Sequence, residues 1–241
     1  MKKLFKKALI GMMVLSLSAT AFAKGTLYVG TNAEFPPFEY LDKGEITGFD
    51  IDMMNEIGKV LDMDVKINDM AFDGLLPALQ MKKVDVVIAG MTATEERKKT
   101  VSFTQPYYVA SQVIITKKDD NSIKSFDDLK GKKVGVMLGF TGDIVVSDIE
   151  GVNIERYNAA YAGIMALNVG KVDAVVLDSE PAQNFVKQNP NLKIAEADAA
   201  KEEYAIALRK NDKELLEKLE KGLSEIKNNG TYDKLLEKYF N

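Results

Sequence analysis

Short runs of β-branched and apolar residues alternate along the chain with longer stretches of helical periodicity. The runs at 26–30, 65–68, 84–90, 113–117, 133–138, 154–157, 172–178 and 204–208 predict strands. Over 50–61, Ile51, Met54, Ile57 and Leu61 share one helical face. A second helix is predicted over 74–81, which puts Pro77 in its first turn, where a missing N–H costs little. Near the C-terminus Leu215, Leu216, Leu219, Leu223 and Ile226 form an apolar stripe. Asn228-Asn229-Gly230 ends it, and Thr231 is read as the cap of a last short helix that turns Leu235, Leu236 and Phe240 inward. This alternation argues for α/β units with mainly parallel sheets flanked by helices.

One pattern occurs twice. Ala78-Leu79-Gln80-Met81-Lys82-Lys83-Val84-Asp85-Val86-Val87 matches Ala166-Leu167-Asn168-Val169-Gly170-Lys171-Val172-Asp173-Ala174-Val175 at an offset of 88 residues. Each copy reads as a helix end, a tight turn and a buried strand. A true repeat implies two similar lobes. It also makes Gly90 and Asp178 equivalent, each at the carboxyl end of a central strand, where open α/β sheets bind ligands. Asp85 and Asp173 precede their strands and read as structural.

Composition narrows the chemistry. The 241 residues are 46% hydrophobic, which suits a folded globule. There is no Cys, His or Trp. That excludes a Ser-His-Asp triad, a Cys nucleophile, a disulfide and an ordinary zinc site, and leaves carboxylate, Lys or Tyr chemistry open. The first 23 residues hold four lysines and no acid, so the remainder carries 28 basic against 36 acidic residues. An acidic body is a poor match for nucleic-acid phosphates. Lys2, Lys3, Lys6 and Lys7, then a mostly apolar run from Ala8 to Ala19, then Ala21-Phe22-Ala23 read as a secretory signal cleaved after Ala23. The apolar run is short for a membrane anchor, and lipid anchoring would need a cysteine. The expected location is periplasmic.

Four constellations carry candidate chemistry. Thr31 to Tyr40 follows the first strand and holds Phe35, Phe38 and Tyr40 on a loop stiffened by Pro36-Pro37. Phe38 and Tyr40 are expected to pack beneath it, while Phe35 is either packing or a pocket wall. Ala89 to Lys99 is a strand-to-helix junction in which Thr94 can cap a helix and Arg97 can pair with a carboxylate. Arg97 could instead be a surface partner of Glu95, Glu96 or Asp85. Asp178 ends an apolar strand and either caps the next helix or holds a cation. Met137 to Asp143 is another such junction, with two glycines but no Walker lysine. Together Arg97, Thr92 and Gly90 from one lobe, Asp178 from the other, and the flat side chains of Phe35 and Phe72 describe a site for a free α-amino acid.

Phe35-Pro36-Pro37-Phe38-Glu39, Thr47-Gly48-Phe49-Asp50-Ile51-Asp52, Phe72 to Leu79, Gly90 to Lys99, Pro106-Tyr107-Tyr108 and Asn229-Gly230-Thr231-Tyr232 resemble the polar amino-acid solute-binding proteins of ABC importers, family 3. The resemblance runs in order through the mature chain. It implies a type II periplasmic-binding-protein fold, with two α/β lobes joined by two hinge crossovers. The lobes are expected at 24–110 with 204–241, and at 111–203. By this resemblance Arg97 clamps the ligand's α-carboxylate with Thr92 and backbone at Gly90 and Thr141. Asp178 holds the α-ammonium. Phe35 and Phe72 sandwich the side chain. Asn32 and Met137 sit near its tip, and Met91 lies within the set. Where Asn32 stands, members taking basic ligands or glutamine often carry Asp, so a cationic side chain would need Glu34 or Asp73. The pattern looks most like arginine-type receptors, with lysine and glutamine next. The resemblance implies no cofactor, a monomer, and an importer permease as partner. Dehydratases of prephenate-like acids share the fold, which keeps an enzyme as the alternative.

Overall fold

The computed structural model describes residues 24–195 and 201–240. The predicted export signal lies outside them. Two sheets form two lobes. The first has the order Met63–Asp69, Gly25–Thr31, Val86–Val87, Ala207–Arg209, Val101–Phe103. The second has the order Asn153–Tyr157, Lys133–Met137, Ala174–Asp178, Tyr108–Lys117, Leu192–Ile194. Strand Lys201–Tyr204 pairs with the first half of Tyr108–Lys117, from Ser111 to Tyr108. These two antiparallel segments are the crossovers, hydrogen-bonded to each other. The expected boundaries at 110/111 and 203/204 fall inside them.

The sheets are mixed, which corrects the expectation of mainly parallel pairing. The first sheet has two parallel and two antiparallel pairings, and the second has two parallel and three antiparallel ones, the crossover pair included. The antiparallel members are Tyr108–Lys117 and Ala207–Arg209 with their outer neighbours. Tyr108–Lys117 and Ala207–Arg209 lie on or just after the crossovers and run opposite to the βαβ strands, while their outer neighbours run with the βαβ strands. Helices cover both faces of the second sheet, so its strands read as unbroken apolar runs. Ala174 and Val176 point into one cluster with Ile114, Val134 and Val146, while Val175 and Leu177 point into another with Ile164 and Leu167.

The repeat is borne out bond by bond. Helices Phe72–Gln80 and Ala160–Asn168 end in the same turn. Lys82 and Gly170, at equivalent positions, have φ of 60° and 74°. Lys83 N–H donates to Ala78 O at 2.9 Å, and Lys171 N–H to Ala166 O at 2.8 Å. The carboxylates of Asp85 and Asp173 accept from Tyr28 N–H (3.1 Å) and Lys133 N–H (2.8 Å), tying adjacent strand starts together. Both aspartates are structural, as read.

Several predicted elements move. Helix Phe72–Gln80 starts two residues early, so Pro77 is its sixth residue, and the Asp73 carbonyl lacks its intrahelical donor. The run 84–90 contributes only Val86–Val87 to the ladder, because the chain bends away at Gly90, whose φ is 51°. The run 204–208 splits between two sheets, since the chain passes there from the crossover into the first lobe. Helix Thr231–Phe240 begins with Thr231 itself, whose N–H is accepted by Asn229 Oδ1 at 3.0 Å. Leu219, Leu223 and Ile226 of helix Lys213–Asn228 are buried. Gly222 on that face lets Ile57 of helix Phe49–Val60 approach to where a Cβ would sit 2.8 Å away. Among the described residues no helix is long and apolar enough to cross a membrane.

Candidate ligand-binding site

Arg97 sits on the short helix Glu95–Thr100, whose N-cap Thr94 accepts the Arg97 N–H at 3.2 Å. Its side chain does not join the surface ion pairs: Glu95 pairs with Lys98, Glu96 with Lys99, and Asp85 with Arg209. The guanidinium turns inward instead. One terminal nitrogen donates to Thr92 O at 2.7 Å in its own lobe. The other donates to Gly139 O at 2.9 Å in the opposite lobe. It also lies 5.3 Å from the centroid of the Phe72 ring. Burial pulls its pKa down to about 10, against the opposing pull of Glu202 and Asp178.

Asp178 stands at the N-cap of helix Ser179–Gln188 yet makes no capping bond. It is buried, with Oδ1 accepting from Gln112 Nε2 at 2.7 Å and Oδ2 from the Tyr204 hydroxyl. Burial pushes its pKa up to about 7, opposed by the Tyr204 hydrogen bond and reinforced by Glu202. The capping alternative is thereby set aside. Gln112 Nε2 also donates to Thr141 Oγ1 at 3.1 Å, and Gln112 Oε1 is buried without a partner.

Gly90 offers less than expected. Its N–H is already given to Asp50 Oδ2 at 2.9 Å, which leaves its carbonyl as the backbone group it can present. Its positive φ and its contact with Phe35, where a Cβ would meet the ring at 2.8 Å, make glycine necessary. Thr92 donates its hydroxyl to Glu202. Met91 and Met137 are buried beside the site's strand ends. Asn32 is buried, with Nδ2 donating to Met70 O at 3.0 Å and Oδ1 left without a partner. Glu34 lies further out, where partial burial and Asp69 raise its carboxyl pKa. It lines a groove of about 460 Å³ with Pro36, Tyr161 and Tyr239, which contains neither Arg97 nor Asp178. The structure therefore gathers Phe35, Phe72, Gly90, Thr92, Arg97, Thr141 and Asp178 around the lobe junction and leaves Glu34 at its margin.

Four participants were missed from sequence. Gln112 and Glu202 are buried polar residues on crossover strands, and each interrupts an otherwise unremarkable stretch. Tyr204 was read only as the start of a strand. Phe140 reads in sequence as part of a glycine-flanked turn in a run like that of arginine-type receptors, with no role of its own, yet its ring lies against both Phe35 and Phe72. Phe38 does pack as expected, at the hub of contacts with Phe49, Tyr108, Tyr204 and Phe240. Tyr40 is half-buried.

Two lobes meeting at a part-buried guanidinium and a buried carboxylate define a cleft-type binding protein. The family model of bacterial extracellular solute-binding proteins, family 3, matches residues 27–241, and the chain belongs to that family. It is 37% identical over 245 residues to the ABC transporter arginine-binding protein 1 of Escherichia coli K12, covering 98% of this chain and 99% of that one. It is 36% identical over 217 residues to a probable histidine-binding protein of Campylobacter jejuni, covering 89% of this chain and 84% of the relative. Among solved structures, an ancestral arginine-binding protein bound to arginine shares 50% identity and superposes with a TM-score of 0.88, covering 90% of this chain and 99% of that one. The chain is accordingly a solute-binding protein of the two-lobed fold and not an enzyme.

Proposed function

We propose that the protein captures a free basic or polar L-amino acid, arginine before lysine or glutamine, between its lobes and delivers it to the permease of an ABC importer. Arg97 takes the α-carboxylate in a bidentate pair, with Thr141 assisting. Asp178 takes the α-ammonium, with the Gly90 carbonyl and Thr92 beside it. Phe35 and Phe72 flank the side chain, with Asn32 and Met137 near its far end, Met91 beside Gly90 and Thr92, and Glu34 at the rim. The observation that carries this reading is the Arg97 guanidinium. It reaches the lobe junction, makes no salt bridge among the described residues, and has only carbonyl oxygens as partners. A carboxylate is the stronger acceptor for it.

Charge favours a cationic ligand. Asp178 and Glu202 both bear on Arg97, so the ionised site carries one more negative than positive group. A ligand of net charge +1 balances it. The names of relatives point the same way, since the Escherichia coli relative and the ancestral protein just described carry arginine in theirs. By the same reading the protein works outside the cytoplasm, in the periplasm, as the extracellular family it belongs to implies, and binds its ligand as a monomer.

A thermal-shift screen of the twenty amino acids tests this. A ligand at a hundred times its Kd adds about 2.7 kcal/mol. For a chain of this length that is about 5–10 °C in Tm. Arginine should give the largest shift, and Arg97→Ala should abolish it. Twenty flat responses would refute the proposal.

A further inference from the structure

The slot between Phe35 and Phe72, read above as the place of the ligand's side chain, is filled by the protein. The Phe140 ring stacks on Phe72 with a centroid distance of 3.7 Å and an interplanar angle of 29°. It also lies 5.1 Å from the Phe35 ring. Phe140 is only 4% exposed, although it belongs to a turn and not to a strand or a helix interior. It comes from the second lobe, whereas Phe35 and Phe72 belong to the first. The preceding carbonyl, Gly139 O, is the same group that accepts from Arg97 across the lobes. One dipeptide therefore supplies an oxygen to the guanidinium clamp and a flat ring to the aromatic slot.

We infer that Gly139-Phe140 is a built-in surrogate ligand that holds the lobes together when no amino acid is bound and must be displaced before one can bind. This rests on the ligand reading above. Its physical content is a competition. The free protein populates a self-closed state, and the apparent affinity is reduced by the fraction of molecules in the competent state. The same competition sets specificity. A planar guanidinium, amide or imidazole can replace the lost ring stacking, and a short aliphatic side chain cannot. Phe140 is thus the residue that excludes small amino acids from a clamp whose α-carboxylate and α-ammonium contacts would otherwise accept any of them.

Two measurements test it. Small-angle scattering of the ligand-free protein is independent of ligand identity. The wild type should be compact, and Phe140→Ala should expand. A compact ligand-free variant overturns the inference. Titration calorimetry should give arginine binding about tenfold tighter in Phe140→Ala than in wild type, together with new binding of alanine or serine. Weaker arginine binding in the variant would instead make the ring a wall of the occupied pocket and overturn the inference. Phe140→Ser serves as a second variant. It places a capping hydroxyl at the start of helix Thr141–Ser147, so a folding defect is not its expected outcome. If no amino acid binds either protein while the scattering change still occurs, the ligand reading fails and the self-closure stands.

Discussion

Replacing Asp178 by Asn keeps the shape of a buried side chain and removes its charge. In the free protein the carboxylate is enclosed by Gln112 and Tyr204, and burial raises its pKa to about 7. A ligand ammonium needs the ionised form. Below about pH 7 the site must first release a proton, so affinity should fall by up to tenfold per pH unit on the acid side and level off above it. At neutral pH a charge-assisted bond of about 1.5–3 kcal/mol is lost in the variant. An ammonium left buried without its counter-charge costs about 3–5 kcal/mol. Titration calorimetry from pH 5 to 8.5 should then show Asp178→Asn binding at least about a hundredfold more weakly at pH 8, with the acid-side slope gone. Stability moves the opposite way. A carboxyl whose pKa is higher folded than unfolded binds more protons in the folded state. The ligand-free wild type therefore loses stability as pH rises from about 4 to 7, and Asp178→Asn should reduce that loss, leaving the part due to buried Asp50 and Glu39. Full affinity in the variant with an unchanged pH slope would refute the assignment.

Arg97→Lys keeps the charge but gives up the planar fork, so calorimetry should show a loss of at least tenfold, about 1.4 kcal/mol. Gly90→Ala forces a Cβ to within 2.8 Å of the Phe35 ring at a φ of 51°. Thermal unfolding should register a cost of about 1–3 kcal/mol, with weakened binding alongside. Asp173→Ala frees the Lys133 N–H at the start of strand Lys133–Met137, and denaturant melts should show about 1 kcal/mol lost with ligand affinity intact. Glu202→Gln removes the negative partner of Thr92 and one of the two carboxylates acting on Arg97, so it should weaken arginine more than glutamine in paired titrations.

The local grammar of the chain was legible because it depends on near neighbours. The stripe from Leu215 to Ile226, the Thr94 cap and the turn within each copy of the repeat involve residues a few positions apart, and each appears in the fold. Strand direction was not legible. Tyr108–Lys117 and Ala207–Arg209 read like any apolar run, and their antiparallel pairing follows only from where the crossovers deliver them. Asp178 stood out in sequence because a charged group at the end of a buried strand needs a reason, and Arg97 because it follows a strand-to-helix junction suited to a carboxylate. What surrounds each did not, since Gln112, Tyr204 and Glu202 come from strands far away in the chain.

The sequence by itself determined the two-lobed alternation of elements, the repeated turn with its structural aspartates, and the chemical types of group available at the strand ends, because periodicity, capping and charge act locally. Only the tertiary structure decided that Arg97 reaches across to Gly139, that Asp178 is enclosed instead of capping a helix, and that Phe140 occupies the slot between Phe35 and Phe72. Those outcomes depend on which side chains the closing of two lobes brings within a few ångströms, and separation along the chain carries no record of that distance.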